Sequence, residues 1–106
     1  NLGSRPMELV LMGLGGCTAM DVISTLKKQR QAVTDCIIEL EARRAESIPK
    51  VFESIHMTYR VSGQGLRPEA VERAVKLSAT KYCSVSKMLE PSVSLTHSIV
   101  LSESEE

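Results

Sequence analysis

The chain has 106 residues, 13 of them basic and 13 acidic, with 42% hydrophobic residues and three aromatics, Phe52, Tyr59 and Tyr82. That length fits a single domain over residues 1–106. Balanced charge, with no basic stripe interleaved with aromatics, gives a nucleic-acid partner no electrostatic support.

Pro6 suits the first position of a helix, and the apolar spacing carries that helix to about Arg30. Its first half is apolar on every face, through Leu9, Val10, Leu11, Met12 and Leu14. Its second half narrows to Ala19, Val22, Ile23 and Leu26, then ends on KKQRQ, where cations suit the helix dipole. No uninterrupted apolar run reaches the roughly 18 residues of a membrane span, so no membrane partner is expected. The stretch MELVLMGLGGC looks like the end of a lipoprotein signal, but Glu8 sits inside its apolar part and the helical pattern continues past Cys17. The chain opens directly on this helix without an initiating Met, and a preceding N-terminal segment is expected. Gly13, Gly15 and Gly16 stand beside Cys17, each at a helix cost of up to about 1 kcal/mol relative to alanine. Close approach of another element, or space beside the thiol, would explain them.

Residues 33–43 alternate, with Cys36, Ile38, Leu40 and Ala42 on the inner face of a half-buried strand. After the turn ESIPK, the stretch VFESIHMTYRV reads as a second strand with Val51, Ile55, Met57, Tyr59 and Val61 inward, closed by the loop SGQG. Pro68 opens a second helix through Tyr82, with Ala70, Val71, Ala74, Val75 and Ser78 on one side. A short turn runs through Met88 and Leu89 to Pro91, and SVSLTHSIVL alternates as a last strand with Val93, Leu95, Ile99 and Leu101 inward. The class is α+β, helices on one face of an antiparallel sheet. Three strands cannot wrap a helix that is apolar all round, so further strands or a second subunit are expected to cover it. A symmetric homodimer with the GLGG face near the contact is the expectation.

Three cysteines, at 17, 36 and 83, form no disulfide framework and point to a reducing, cytoplasmic compartment. No C-x-x-C and no zinc-like Cys/His spacing occurs, so neither metal nor cofactor is expected. Cys36 shares the inward strand face with Ile38 and Leu40 and reads as structural. Cys17 reads either as a small buried hydrophobe or as a nucleophile. Cys83 ends a helix ahead of a serine-rich turn, where backbone N–H groups lower a thiol pKa. Asp21, four residues after Cys17, shares its helix face and would raise the thiol pKa unless it is turned to solvent or bonded to a partner such as Lys81 or Tyr82. His56 is expected outward on its strand and His97 in the core. Thr18 and Ser84 are in reach of a thiolate, though such hydroxyls mostly bond local backbone.

Taken together, P-x-E-L-V-L-x-x-L-G-G-C from Pro6 to Cys17 and A-x-K-Y-C-S-V from Ala79 to Val85 make the sequence similar to the osmotically inducible protein C and organic hydroperoxide resistance family, closest to its poorly characterised branch. The resemblance covers essentially the whole chain. It implies an intertwined α+β homodimer with the long helix central and an N-terminal β-meander ahead of residue 1. It also implies reduction of organic hydroperoxides in oxidative-stress defence, with Cys17 matching the peroxidatic cysteine and Cys83 the resolving one. Re-reduction would come from a thiol reductant such as a dihydrolipoyl protein. In that chemistry a Cys17 thiolate cleaves the O–O bond and becomes a sulfenic acid, which Cys83 converts to a disulfide. Gly13 and Gly16, with Met20 and Met88, would then border an apolar pocket for the peroxide. One departure stands out. Met7 occupies the place of the family's thiolate-supporting glutamate, and the acid falls one position later at Glu8, turned by about 100° on the helix. A non-catalytic small-molecule-binding protein and a redox-sensing module are the alternatives.

Overall fold

The structure, a computed structural model, describes residues 6–103. Helix α1 (Pro6–Lys28) leads into strand β1 (Ala32–Arg44) and strand β2 (Phe52–Gln64). Helix α2 (Pro68–Leu77) runs into a π-helical turn over Ser78–Tyr82, followed by the short helix α3 (Ser84–Leu89) and strand β3 (Ser94–Glu103). The three strands form one sheet in the order β1-β2-β3.

The sheet is mixed rather than antiparallel as expected. β1 pairs β2 antiparallel, but β3 lies parallel to β2, with Ile55 opposite Leu95 and Tyr59 opposite Ile99. The cause is the connection: α2, the π-helical turn and α3 carry the chain back to the starting end of β2, as a parallel pairing requires. A bulge between Arg43 and Arg44 shifts the β1–β2 register. It puts Phe52 in the core and leaves Val51 exposed, reversing the alternation expected there.

The sheet's other face is solvated and polar. His56 bonds Thr96 Oγ1 at 2.7 Å and Ser98 Oγ at 3.1 Å. Arg60 pairs with Glu39 at 3.0 Å. On the covered face, Leu14, Val22 and Leu26 of α1 join Ile55, Tyr59 and Val61 of β2 and Val71 and Val75 of α2 in one fully buried cluster. Each such aliphatic side chain contributes about 1.5–3 kcal/mol relative to exposure. His97 is not a core residue as expected. It is exposed, its ring edge-on to Tyr59 at 5.9 Å, because β3 is an edge strand whose inner face is only half covered.

α1 is 23 residues long and its most apolar 18-residue stretch has a mean hydropathy of 1.6, long and apolar enough to cross a membrane, although the sequence showed no unbroken apolar run of that length. Its polar residues are interspersed, and its inner stripe of Leu14, Gly15, Thr18, Val22 and Leu26 is buried against this chain. It stops at Lys28 through a Schellman arrangement, with Gln31 N–H donating to Leu26 O at 2.9 Å and Arg30 N–H to Lys27 O at 3.0 Å. Arg30 takes the left-handed conformation, φ 61°, usually given to glycine.

Gly63 marks a real close approach: a Cβ there would overlap Ala32 O and the Leu66 side chain. Gly63→Ala should therefore lower stability by about 1–3 kcal/mol, seen as a lower urea midpoint at unchanged slope.

Candidate functional site at Cys17, Asp21 and Cys83

One turn of α1 separates Cys17 from Asp21, so both project from the same helix face. Opposite them stands the chain from Ser78 to Ser86. The sulfurs of Cys17 and Cys83 and a carboxylate oxygen of Asp21 all lie within 4.8 Å of one another. All three cysteines are free thiols; Cys83 is buried and Cys17 half-buried.

The π-helical turn brings the second wall into place. Cys83 N–H donates to Ser78 O at 2.9 Å, five residues back, which widens the helix by one residue. Ser78 Oγ thereby meets Asp21 and donates to Oδ2 at 3.0 Å. Cys83 then caps α3, its Sγ accepting Ser86 N–H at 3.4 Å in a role that Ser or Asp usually plays. The Val85 backbone N–H favours the Cys17 thiolate. Behind the cluster, the buried Tyr59 hydroxyl donates to Met57 Sδ at 3.9 Å and lies against Thr18.

Burial pushes the Cys17 thiol up from its ordinary value; the Cys83 thiol bonded to it and the negative charges of Cys83 and Asp21 add to that, while Val85 N–H opposes it. Burial likewise lifts Cys36 to about 11, helped by Asp35. Burial lifts Tyr59 to about 12.

The remaining residues singled out in the sequence fall elsewhere. Asp21 is bonded to Ser78, not to Lys81 or Tyr82. The Lys81 ammonium lies 5.6 Å from the Tyr82 ring centroid instead. Tyr82 does border, with Asp21, Ser24, Thr25, Lys28 and Leu77, a cleft of about 500 Å³. Glu8 lies about 13 Å up the helix axis from Cys17, in a separate cleft with Met7, Leu11, Arg44 and Phe52. Thr18 Oγ1 donates to Leu14 O at 3.0 Å and Gly15 O at 3.1 Å, as local hydroxyls do.

Gly13, Gly16, Met20 and Met88 do not close over the thiol within one chain. Among the described residues a Cβ at Gly13 or Gly16 would meet no atom within 4 Å, and Met20 and Met88 are 74% and 76% exposed. Gly15 alone of the three helix glycines meets a neighbour, with its would-be Cβ 3.2 Å from Leu40 Cδ1. Sequence reasoning missed Ser78, Val85 N–H and Ser86 as supports. The available signal for Ser78 was a hydroxyl on the apolar stripe of α2. Ser86 Oγ is buried without a hydrogen-bond partner among the described residues, and Ser86 borders a cavity of about 430 Å³ with Met57, Thr80, Glu90 and His97.

A long glycine-bearing helix on a small mixed sheet, with its cysteine facing a second cysteine at a helix cap, defines a paired-thiol α+β class. Residues 1–98 match the family described as OsmC-like protein. The chain is 53% identical over 93 residues to protein YhfA of Escherichia coli strain K12, covering 88% of this chain and 69% of that one. It superposes with TM-score 0.94 on the crystal structure of a hypothetical protein from Aquifex aeolicus VF5, 42% identical over 99% of this chain and 79% of that one. An organic hydroperoxide resistance protein OsmC from Legionella pneumophila shares the fold alone, at TM-score 0.71 and 17% identity over 94% of this chain and 72% of that one. The chain belongs to the OsmC-like protein family.

The buried Cys36 and Tyr59 predict an alkaline limit to stability. Both are neutral in the fold, and both lose their protons at lower pH once unfolded. Their contribution is complete below about pH 9 and is lost as pH rises towards 12. Thermal unfolding midpoints should therefore fall steadily across that window, and less steeply above pH 10 for Tyr59→Phe.

Proposed function

We propose that the protein is a thiol-dependent peroxidase that reduces organic hydroperoxides. The single observation that carries this reading is the approach of two free thiols, the Cys17 and Cys83 sulfurs within 4.8 Å of each other in a half-buried site beside apolar helix residues. The Cys17 thiolate attacks one peroxide oxygen, the O–O bond breaks, and the alkoxide takes a proton and leaves as an alcohol. Cys17 is then a sulfenic acid. The Cys83 thiol attacks that sulfur, water leaves, and a disulfide forms between sulfurs that start within 4.8 Å of each other. An external dithiol, such as a dihydrolipoyl protein or a small thiol, returns both sulfurs to the reduced state. Family membership supports this reading, since members of the fold include hydroperoxide resistance proteins.

A redox-sensing role is the second reading, and a non-catalytic small-molecule-binding role is the third. The raised Cys17 pKa and Met7 in the family glutamate's place both favour a slow thiol over a fast one. Cumene hydroperoxide separates these. For the peroxidase, stoichiometric thiol loss should occur within minutes, vanish in Cys17→Ser, and stop at the sulfenic or sulfinic stage in Cys83→Ser, read by mass spectrometry. Disulfide formation without turnover by any dithiol supports the sensor. No reaction at excess peroxide leaves the binding role.

The protein acts in this reading as a cytoplasmic homodimer. Only 22% of the most apolar stretch of α1 is buried within the chain, and Leu9, Met12, Met20 and Met88 leave a continuous apolar face flanking Gly13 and Gly16. A second copy on that face would use the bare glycines for close helix approach. Gly16→Leu should then convert dimer to monomer in sedimentation, and a variant of unchanged mass would count against the dimer.

A further inference from the structure

We propose that the reduced Cys17, Asp21 and Cys83 cluster is a binding site for a thiophilic divalent cation of the zinc type. The donor set is two sulfurs and one carboxylate oxygen, within 4.8 Å of one another before any ion is bound. A tetrahedron with bonds of roughly 2.3 Å to sulfur and 2.0 Å to oxygen places its donors about 3.5–3.8 Å apart, so closure needs side-chain shifts of about 1 Å. Sulfur donors select zinc, copper(I) or cadmium over magnesium or calcium, which require oxygen ligands. Cys17 and Asp21 stand one helical turn apart and Cys83 comes from a separate element. That leaves three protein ligands and an open fourth position, as in exchangeable zinc sites.

The surroundings are built for this. Two of the three donor atoms already receive a hydrogen bond from the segment running from Ser78 to Ser86. Ser78 Oγ bonds Asp21 Oδ2 at 3.0 Å and Ser86 N–H bonds Cys83 Sγ at 3.4 Å. Such outer partners orient ligands and stabilise their anionic forms. On binding, two thiol protons pass to solvent, two S–Zn bonds and one O–Zn bond form, and no electron moves. Both sulfurs are then occupied, so the bound cation and the Cys17–Cys83 disulfide exclude each other. That regulatory consequence rests on the peroxidase reading; the binding itself does not.

Full-length, reduced, metal-free protein titrated anaerobically with Co²⁺ tests the site. One Co²⁺ per chain should bind with sulfur-to-cobalt charge-transfer absorption and the intense visible bands of a tetrahedral site, and Zn²⁺ should displace it. Cys36→Ser should leave the spectrum intact, and Cys17→Ser should lose about half the charge-transfer intensity. Ser78→Ala should weaken binding about 10–100-fold. Absence of these bands, or their persistence unchanged in Cys17→Ser, overturns the proposal. On the unmutated protein, Zn²⁺ should protect Cys17 and Cys83 from iodoacetamide; equal alkylation with and without Zn²⁺ overturns it as well. Cobalt bands in a protein inert to peroxide would sink the peroxidase alone, and peroxide turnover without them would sink the metal site alone.

Discussion

A sulfur atom stands where a helix-capping oxygen normally does, and the site depends on it. Cys83 Sγ accepts Ser86 N–H at the start of α3, which fixes the side chain in one direction. That direction is towards Cys17, one helix away. Were the cap a serine and the cysteine a residue later, the helix would form equally well and the two sulfurs would not meet. The π-helical turn just upstream performs the complementary task, inserting one residue so that Ser78 faces Asp21 while Cys83 leaves the helix. Capping, turn and thiol pairing are thus one device spread over nine residues.

The same device sets the electrostatics. Three groups that can carry negative charge converge there, and burial together with the charges of Cys83 and Asp21 favours the neutral form of Cys17. The Val85 N–H opposes this at Cys17 by favouring the thiolate. A thiol balanced in that way reacts once something removes its proton or supplies positive charge. Under the two proposals, a peroxide reaction and a cation are competing answers to one physical problem, the potential negative charge gathered at the cluster.

The long helix carries two loads at once. Its inner stripe anchors the sheet, with Gly15 letting Leu40 approach and Thr18 returning its hydroxyl to the backbone. Its outer stripe is largely exposed: Met12 and Met20 face out, and a Cβ at Gly13 or Gly16 would meet no atom of the described residues within 4 Å. Cys17 lies at the border of the two, neither locked in the core nor fully in water. The half-covered inner face of β3 has the same character: Leu95, Ile99 and Leu101 pack on the core without being enclosed by it.

Much of this was legible beforehand. Apolar periodicity located α1, β1, β2, α2 and β3 to within a few residues, because helix and strand each impose a repeat that burial makes visible. The two cysteine motifs located the sulfurs that meet. Direction and register were not legible. Nothing local marks β3 as parallel, since pairing follows from where a helical crossover delivers the chain. Nothing marks Val51 rather than Phe52 as exposed, since a bulge reverses the faces without a compositional trace. Asp21 could be placed on the Cys17 face from spacing alone, but its partner, Ser78, lies 57 residues away. By itself the sequence determined which segments are helix or strand and which residue types carry the chemistry, because those follow from interactions within one or two turns. Only the tertiary structure decided that two thiols and a carboxylate share one space, because that depends on the packing of α1 against a widened turn far along the chain.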